Sequence, residues 1–139
     1  MFSQSYSFSR EQVDSFRNFS QQNNQNIQLI ISRLLLAAGF KLHLRGANYL
    51  TEAIEYCYRL PTDAKISFSG QVYPYIAQKF DTAERNVDRD IRFVLQNSYN
   101  NDRIFVINQL CGYELISHQY PPTTTEFVIN VAAWLKTLI

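Results

Sequence analysis

The chain has 139 residues, 46% hydrophobic and 18% charged, which is enough apolar side chain for one globular core and argues against a multidomain enzyme. With 13 Lys and Arg against 12 Asp and Glu the formal net charge is +1, so any nucleic-acid surface must be local rather than a property of the whole chain. Cys57 and Cys111 stand too far apart in sequence for a CxxC metal or redox pair and make no disulfide framework, which fits a reduced, cytoplasmic setting.

The N-terminus lacks a basic segment followed by an apolar one, and the apolar run 27–40 is broken by Gln28, Ser32 and Arg33, so neither secretion nor a membrane span is expected. Few glycines and prolines and many i, i+3, i+4 apolar spacings predict an all-α chain with short connectors. A first helix starts at Ser9, where Ser9 and Gln12 have capping-box spacing and Val13, Phe16 and Ser20 follow at helical intervals. Asn and Gln then dominate 18–28, a composition that buries little and marks residues 1–27 as a leader or linker ahead of a domain over 28–139.

Ile27, Ile30, Ile31, Leu34, Leu35 and Ala38 form a stripe of helical period ended by Gly39. The next helix covers 47–60, with Tyr49, Leu50, Ala53, Ile54 and Cys57 inward and Pro61 beyond its end. A short helix over 70–80 takes Pro74 in its first turns. Asp81, Thr82, Ala83 and Glu84 supply the turn and the capping residues of a longer helix that carries Val87, Ile91, Val94 and Leu95 on one side. Ile104, Ile107 and Leu110 predict another core helix ending near Gly112, and Thr123 with Glu126 caps a last one bearing Phe127, Val131 and Trp134.

Catalytic chemistry has little to build on. His43 and His118 are the only histidines, no GxSxG or phosphate-loop pattern occurs, and no His, Cys and carboxylate set has metal-ligand spacing. The chain is therefore read as a non-enzyme without cofactor, metal or small-molecule substrate. The informative segment is 73–97, a short helix, a tight turn and a longer helix, the layout that seats a second helix in the DNA major groove. On a wheel of about 100° per residue, Arg85, Arg89, Arg92 and Gln96 share the side opposite the apolar stripe. The same arginines can instead be solvated or paired with Glu84, Asp88 and Asp90, and the segment 71–103 holds five basic and five acidic residues. Lys41, His43 and Arg45 form a second basic cluster ahead of a helix N-terminus, a place suited to phosphate.

Several separated motifs resemble the C-terminal DNA-binding effector domain of the sporulation response regulator, stage-zero sporulation protein A, from about Leu34 to Leu135. They are Gly39-Phe-Lys-Leu-His43-Leu-Arg45-Gly46 with Tyr49-Leu50-x-Glu52-Ala53-Ile54, Tyr73-Pro74-x-Ile76-Ala77-x-Lys79-Phe80, Val87-x-Arg89-x-Ile91-Arg92, and Gly112-Tyr113 with Glu126-Phe127. The resemblance implies a bundle of about six helices, of winged-helix-like or response-regulator-effector type, whose helix-turn-helix binds a short box in bacterial promoters, often in tandem copies.

By position, Asp88, Arg89 and Arg92 resemble the family's base readers, with Arg85 and Asn86 beside them, while Lys41, His43, Arg45 and Lys79 are expected on phosphates. Asn86 stands where the family has Arg, and Arg85 where it has a small polar residue, a departure that bears on which box is preferred. Only about 30 residues precede the matching region, too few for a receiver domain, so control by aspartyl phosphorylation within this chain is not expected. The function expected is a sequence-specific transcriptional regulator with double-stranded DNA as partner. The alternative is a helical interaction module that pairs with a homologous regulator, or with itself, through Phe127, Val131 and Trp134 of the last helix.

Overall fold

The computed structural model describes residues 7–139. Among these the chain is all-helical, with seven α-helices and no strand: α1 (Arg10–Gln22), α2 (Ile27–Ala37), α3 (Arg45–Arg59), α4 (Tyr73–Lys79), α5 (Glu84–Asn100), α6 (Val106–Cys111) and α7 (Thr124–Leu138). Six of them follow residue 26, as the sequence leads one to expect for the domain, and α1 is the leader's own helix. None is long and apolar enough to cross a membrane. α3 is the centre of the bundle and lies between α5 and α7, with α2 on its flank; α4 packs on α5, and α1 on α6 and α7.

Local chemistry sets the helix ends. Ser9 and Thr123 both form complete capping boxes, with Gln12 and Glu126 returning the bond to the cap backbone, as their spacing predicts. α2 ends in a Schellman turn in which Gly39, at φ +81°, lets the Phe40 N–H reach the Leu35 carbonyl at 2.9 Å. α3 starts two residues earlier than the apolar pattern indicates, so Arg45 opens the helix rather than closing the loop. The helix expected over 70–80 divides into a π-helical turn, Phe68–Val72, and α4, because Pro74 has no N–H to continue an ordinary ladder.

The core is continuous, with Ile31, Leu34, Leu50, Ile54, Ile91 and Phe127 among its fully buried side chains. Two expectations need correction. Phe127 and Val131 are fully buried and Trp134 is nearly so, stacked on Phe16 with ring centroids 6.2 Å apart, so these side chains offer nothing to a partner. The leader does not stand apart either: Phe16 and Ser20 of α1 are buried, Arg17 Nη2 donates to the Leu110 carbonyl at 3.0 Å, and the backbone of Phe8 exchanges two hydrogen bonds with the Gln109 amide. Residues 1–6 of that leader lie outside the described residues.

Candidate nucleic-acid interface

α4 and α5 are joined by a turn whose shape comes from its backbone. Asp81 takes the left-handed conformation at φ 52°, the Thr82 N–H bonds the Ala77 carbonyl at 2.9 Å, and the Asp81 N–H reaches the Gln78 carbonyl, a Schellman turn with Asp in glycine's usual place. Here the sequence misleads. Neither Asp81 nor Thr82 caps α5, whose N-cap is Ala83 with no side-chain bond; Thr82 Oγ1 instead accepts from Asn86 Nδ2 at 3.1 Å. Small, buried Ala77 and fully buried Ile76, Val87 and Ile91 hold the two helices together.

With Val87, Ile91, Val94 and Leu95 turned inward, α5 leaves Arg85, Arg89, Arg92 and Gln96 exposed on one face, as the wheel predicts. Phe93, 63% exposed, shares that face. Two of the arginines are paired: Arg89 Nε with Asp90 Oδ1 and Arg92 Nη2 with Asp88 Oδ2, each at 3.1 Å. Both guanidiniums keep about two thirds of their side-chain surface in solvent, where such pairs are worth roughly 1 kcal/mol or less. Asp88 and Asn86 are half-buried and less open than the arginines.

The second carboxylate oxygen of Asp88 accepts from the Tyr73 hydroxyl at 2.9 Å, a contact from α4 that reading along the chain does not reveal. Burial, then the Asp88 bond and charge, push the Tyr73 phenol up to about 12, so it remains a donor throughout the neutral range. Tyr73, Asp88 and Arg92 line an open groove of about 610 Å³ that runs along α5 toward the start of α7.

The connector between α2 and α3 approaches the other flank of α5. His43, Arg45 and Gly46 share a cleft of about 420 Å³ with Arg89, Asp90 and Phe93. Gly46 makes this approach possible: a Cβ there would lie 2.2 Å from the Asp90 carbonyl oxygen, so only glycine lets the start of α3 rest on the α5 backbone. A glycine directly ahead of a helical apolar pattern is the signal that could have located this crossing. Lys41, His43 and Arg45 are exposed and make no ion pair among the described residues; Lys41 lies on the same connector outside the cleft. The Leu44 side chain gives α3 no cap, which leaves first-turn N–H groups beside Arg45.

Lys79 is held differently from the other expected phosphate ligands. Its Nζ donates to Glu52 Oε2 at 3.0 Å, and that largely buried carboxylate oxygen also accepts from Gln28 Nε2 at 3.2 Å. The hydrogen bond to Glu52 raises the Lys79 pKa, so Lys79 keeps its charge, and the pair ties α4 to α3 and, through Gln28, to α2.

Residues 31–135, most of the chain, match the family model for the sporulation initiation factor Spo0A C terminal. That family is the sporulation factor's DNA-binding, regulatory domain and not an enzyme family. No solved structure matches the chain.

Proposed function

The chain belongs to the sporulation initiation factor Spo0A C-terminal family, and on that premise we propose that it is a sequence-specific regulator of transcription that binds double-stranded DNA through α4, the turn and α5 as a helix-turn-helix. α5 enters the major groove, where Arg89 and Arg92 each offer a planar fork that matches O6 and N7 of a guanine. Arg85 and Asn86 flank them toward the start of the helix, Asp88 lies between Asn86 and Arg89, and Phe93 supplies apolar surface suited to a thymine methyl. Lys41, His43, Arg45 and the open start of α3 hold phosphates, and Lys79 joins them as a weaker contact because Glu52 already balances its charge.

The observation that carries this reading is the cleft in which His43 and Arg45 meet Arg89. Phosphate-holding groups from one element stand beside a base-reading group from another, the division of labour that docks a helix in a groove at fixed register. Selection from randomised duplexes with the purified protein tests it, followed by affinity measurements at several salt concentrations. One short enriched motif, bound more weakly as salt rises, is expected. Failure to retain any duplex at low salt, with capture of a homologous regulator instead, would replace this reading with the interaction-module one.

A further inference from the structure

Arg89 and Arg92 face the same solvent, yet the fold restrains them differently. Arg89 leans on Asp90, its neighbour in sequence on the same helix. Arg92 is the end of a chain of contacts that begins on another helix: the Tyr73 hydroxyl donates to Asp88 Oδ1 at 2.9 Å, and Asp88 Oδ2 receives Arg92 Nη2 at 3.1 Å. Tyr73 is itself fixed, because its ring meets Phe68 edge to face with centroids 5.7 Å apart and an interplanar angle of 83°.

We propose that Tyr73 and Asp88 are positioning residues for base readout: the Tyr73 hydroxyl fixes the Asp88 carboxylate, and the carboxylate fixes the aim of the Arg92 guanidinium. The proposal rests on the reading in which α5 faces base edges. A long arginine side chain loses rotamer freedom when it is fixed, and holding it near its bound geometry before DNA arrives lowers what must be lost on binding. Both Asp88 oxygens are engaged, so the carboxylate acts through Arg92 rather than as a separate reader of cytosine. The α4 side chain thereby sets preference at a base pair it never touches. Arg89, outside the chain of contacts, is the internal control.

The test is the duplex selection run on wild type, Tyr73→Phe, Asp88→Asn, the double variant and Arg92→Ala. Arg92→Ala identifies the base pair in question. Tyr73→Phe, which keeps the ring on Phe68 and removes only the hydroxyl, is expected to lower discrimination at that pair by about three- to tenfold, the weight of one hydrogen bond. Preference at the Arg89 pair and the salt dependence stay unchanged. The double variant loses no more than Asp88→Asn alone, because the two residues act in series. Full discrimination retained at the Arg92 pair by Tyr73→Phe overturns the proposal and leaves α5 as the reader. Uniform weakening on every sequence also overturns it, since that is the signature of a merely structural tyrosine. If Tyr73→Phe does not fold, Asp88→Asn decides alone, because it breaks only the link to Arg92. No enriched motif for the wild type removes the underlying reading and this proposal with it.

Discussion

Gly46 is the residue at which the two halves of the candidate interface are joined. A methyl group there would lie 2.2 Å from the Asp90 carbonyl oxygen and 2.9 Å from Val94 Cγ1, so Gly46→Ala must push α3 off the backbone of α5. Overpacking of this kind costs about 1–3 kcal/mol, and urea unfolding should show that loss together with weaker binding to every duplex, because His43 and Arg45 move away from Arg89. Arg45→Ala removes a charge and leaves the packing alone. It should weaken specific and random duplexes alike and flatten the dependence of log K on log salt by about one unit; a loss confined to one sequence would contradict a phosphate role. At the reading face, Arg89→Ala should abolish preference for one G·C pair, and Asn86→Arg should move the favoured box toward the family's usual one, since a good bidentate pair is worth about 1–3 kcal/mol of discrimination. Asn86→Arg also gives up the bond to Thr82 Oγ1, a half-buried side-chain contact, so a small loss of stability accompanies the change in preference. Identical motifs from wild type and both variants would remove this helix from base recognition.

The elements were legible wherever their signals are local. Ser9 with Gln12 and Thr123 with Glu126 are three residues apart, Gly39 and Gly112 stand at helix ends with positive φ, and the stripes on α2, α3 and α5 repeat at helical period; each can be seen without knowing what packs where. What stayed hidden depends on pairing between distant segments. Tyr73 on Asp88 and Lys79 on Glu52 join residues 15 and 27 apart, and a buried Glu52 looks in sequence like any helix carboxylate. At Asp81 the local signal misleads, because Asp and Thr beside a helix start suggest capping, whereas here the backbone of α4 claims them first. α1 itself is legible, from the Ser9 cap and from Val13, Phe16 and Ser20 at helical intervals, but its docking is not, because the polar run at its end reads as a solvated linker. Its docking has a measurable consequence. Phe16→Ala should cost about 3 kcal/mol in denaturant unfolding and release Trp134, whose emission moves toward longer wavelength. Deletion of 1–25 should lower stability by at least as much. DNA binding below the lowered melting temperature is retained, since α1 packs chiefly on α6 and α7. Unchanged stability after the deletion would show that the helix contributes nothing to the core.

Over the whole molecule, a net charge of +1 is compatible with a DNA-facing surface because the carboxylates are spent on it: Asp90, Asp88 and Glu52 pair with Arg89, Arg92 and Lys79. On the proposed reading Arg89 and Arg92 meet base edges rather than phosphates and Glu52 balances Lys79, so salt dependence should follow chiefly Lys41 and Arg45 and give a slope of log K on log salt of about two. The single core that carries this surface also sets how the protein responds to pH. Burial pushes the Cys57 thiol up to about 11 and the Cys111 thiol up to about 12, against an ordinary value of 9.0. Above pH 9 the thiols of the unfolded chain ionise while those of the folded chain do not. The unfolded state then binds fewer protons, and stability falls as pH rises. The stabilisation is whole below pH 9 and is lost progressively up to about 11 and 12, the folded values of the two groups. Each thiol contributes a slope of up to about 1.4 kcal/mol per pH unit within its window, and Tyr73 adds to it above its ordinary value of 10.0. Urea midpoints should therefore hold level between pH 7.5 and 8.5 and drop steadily from pH 9, and a Cys57→Ala, Cys111→Ala variant should lose most of that drop. The same slope in the variant would place the alkaline sensitivity elsewhere than in the buried thiols.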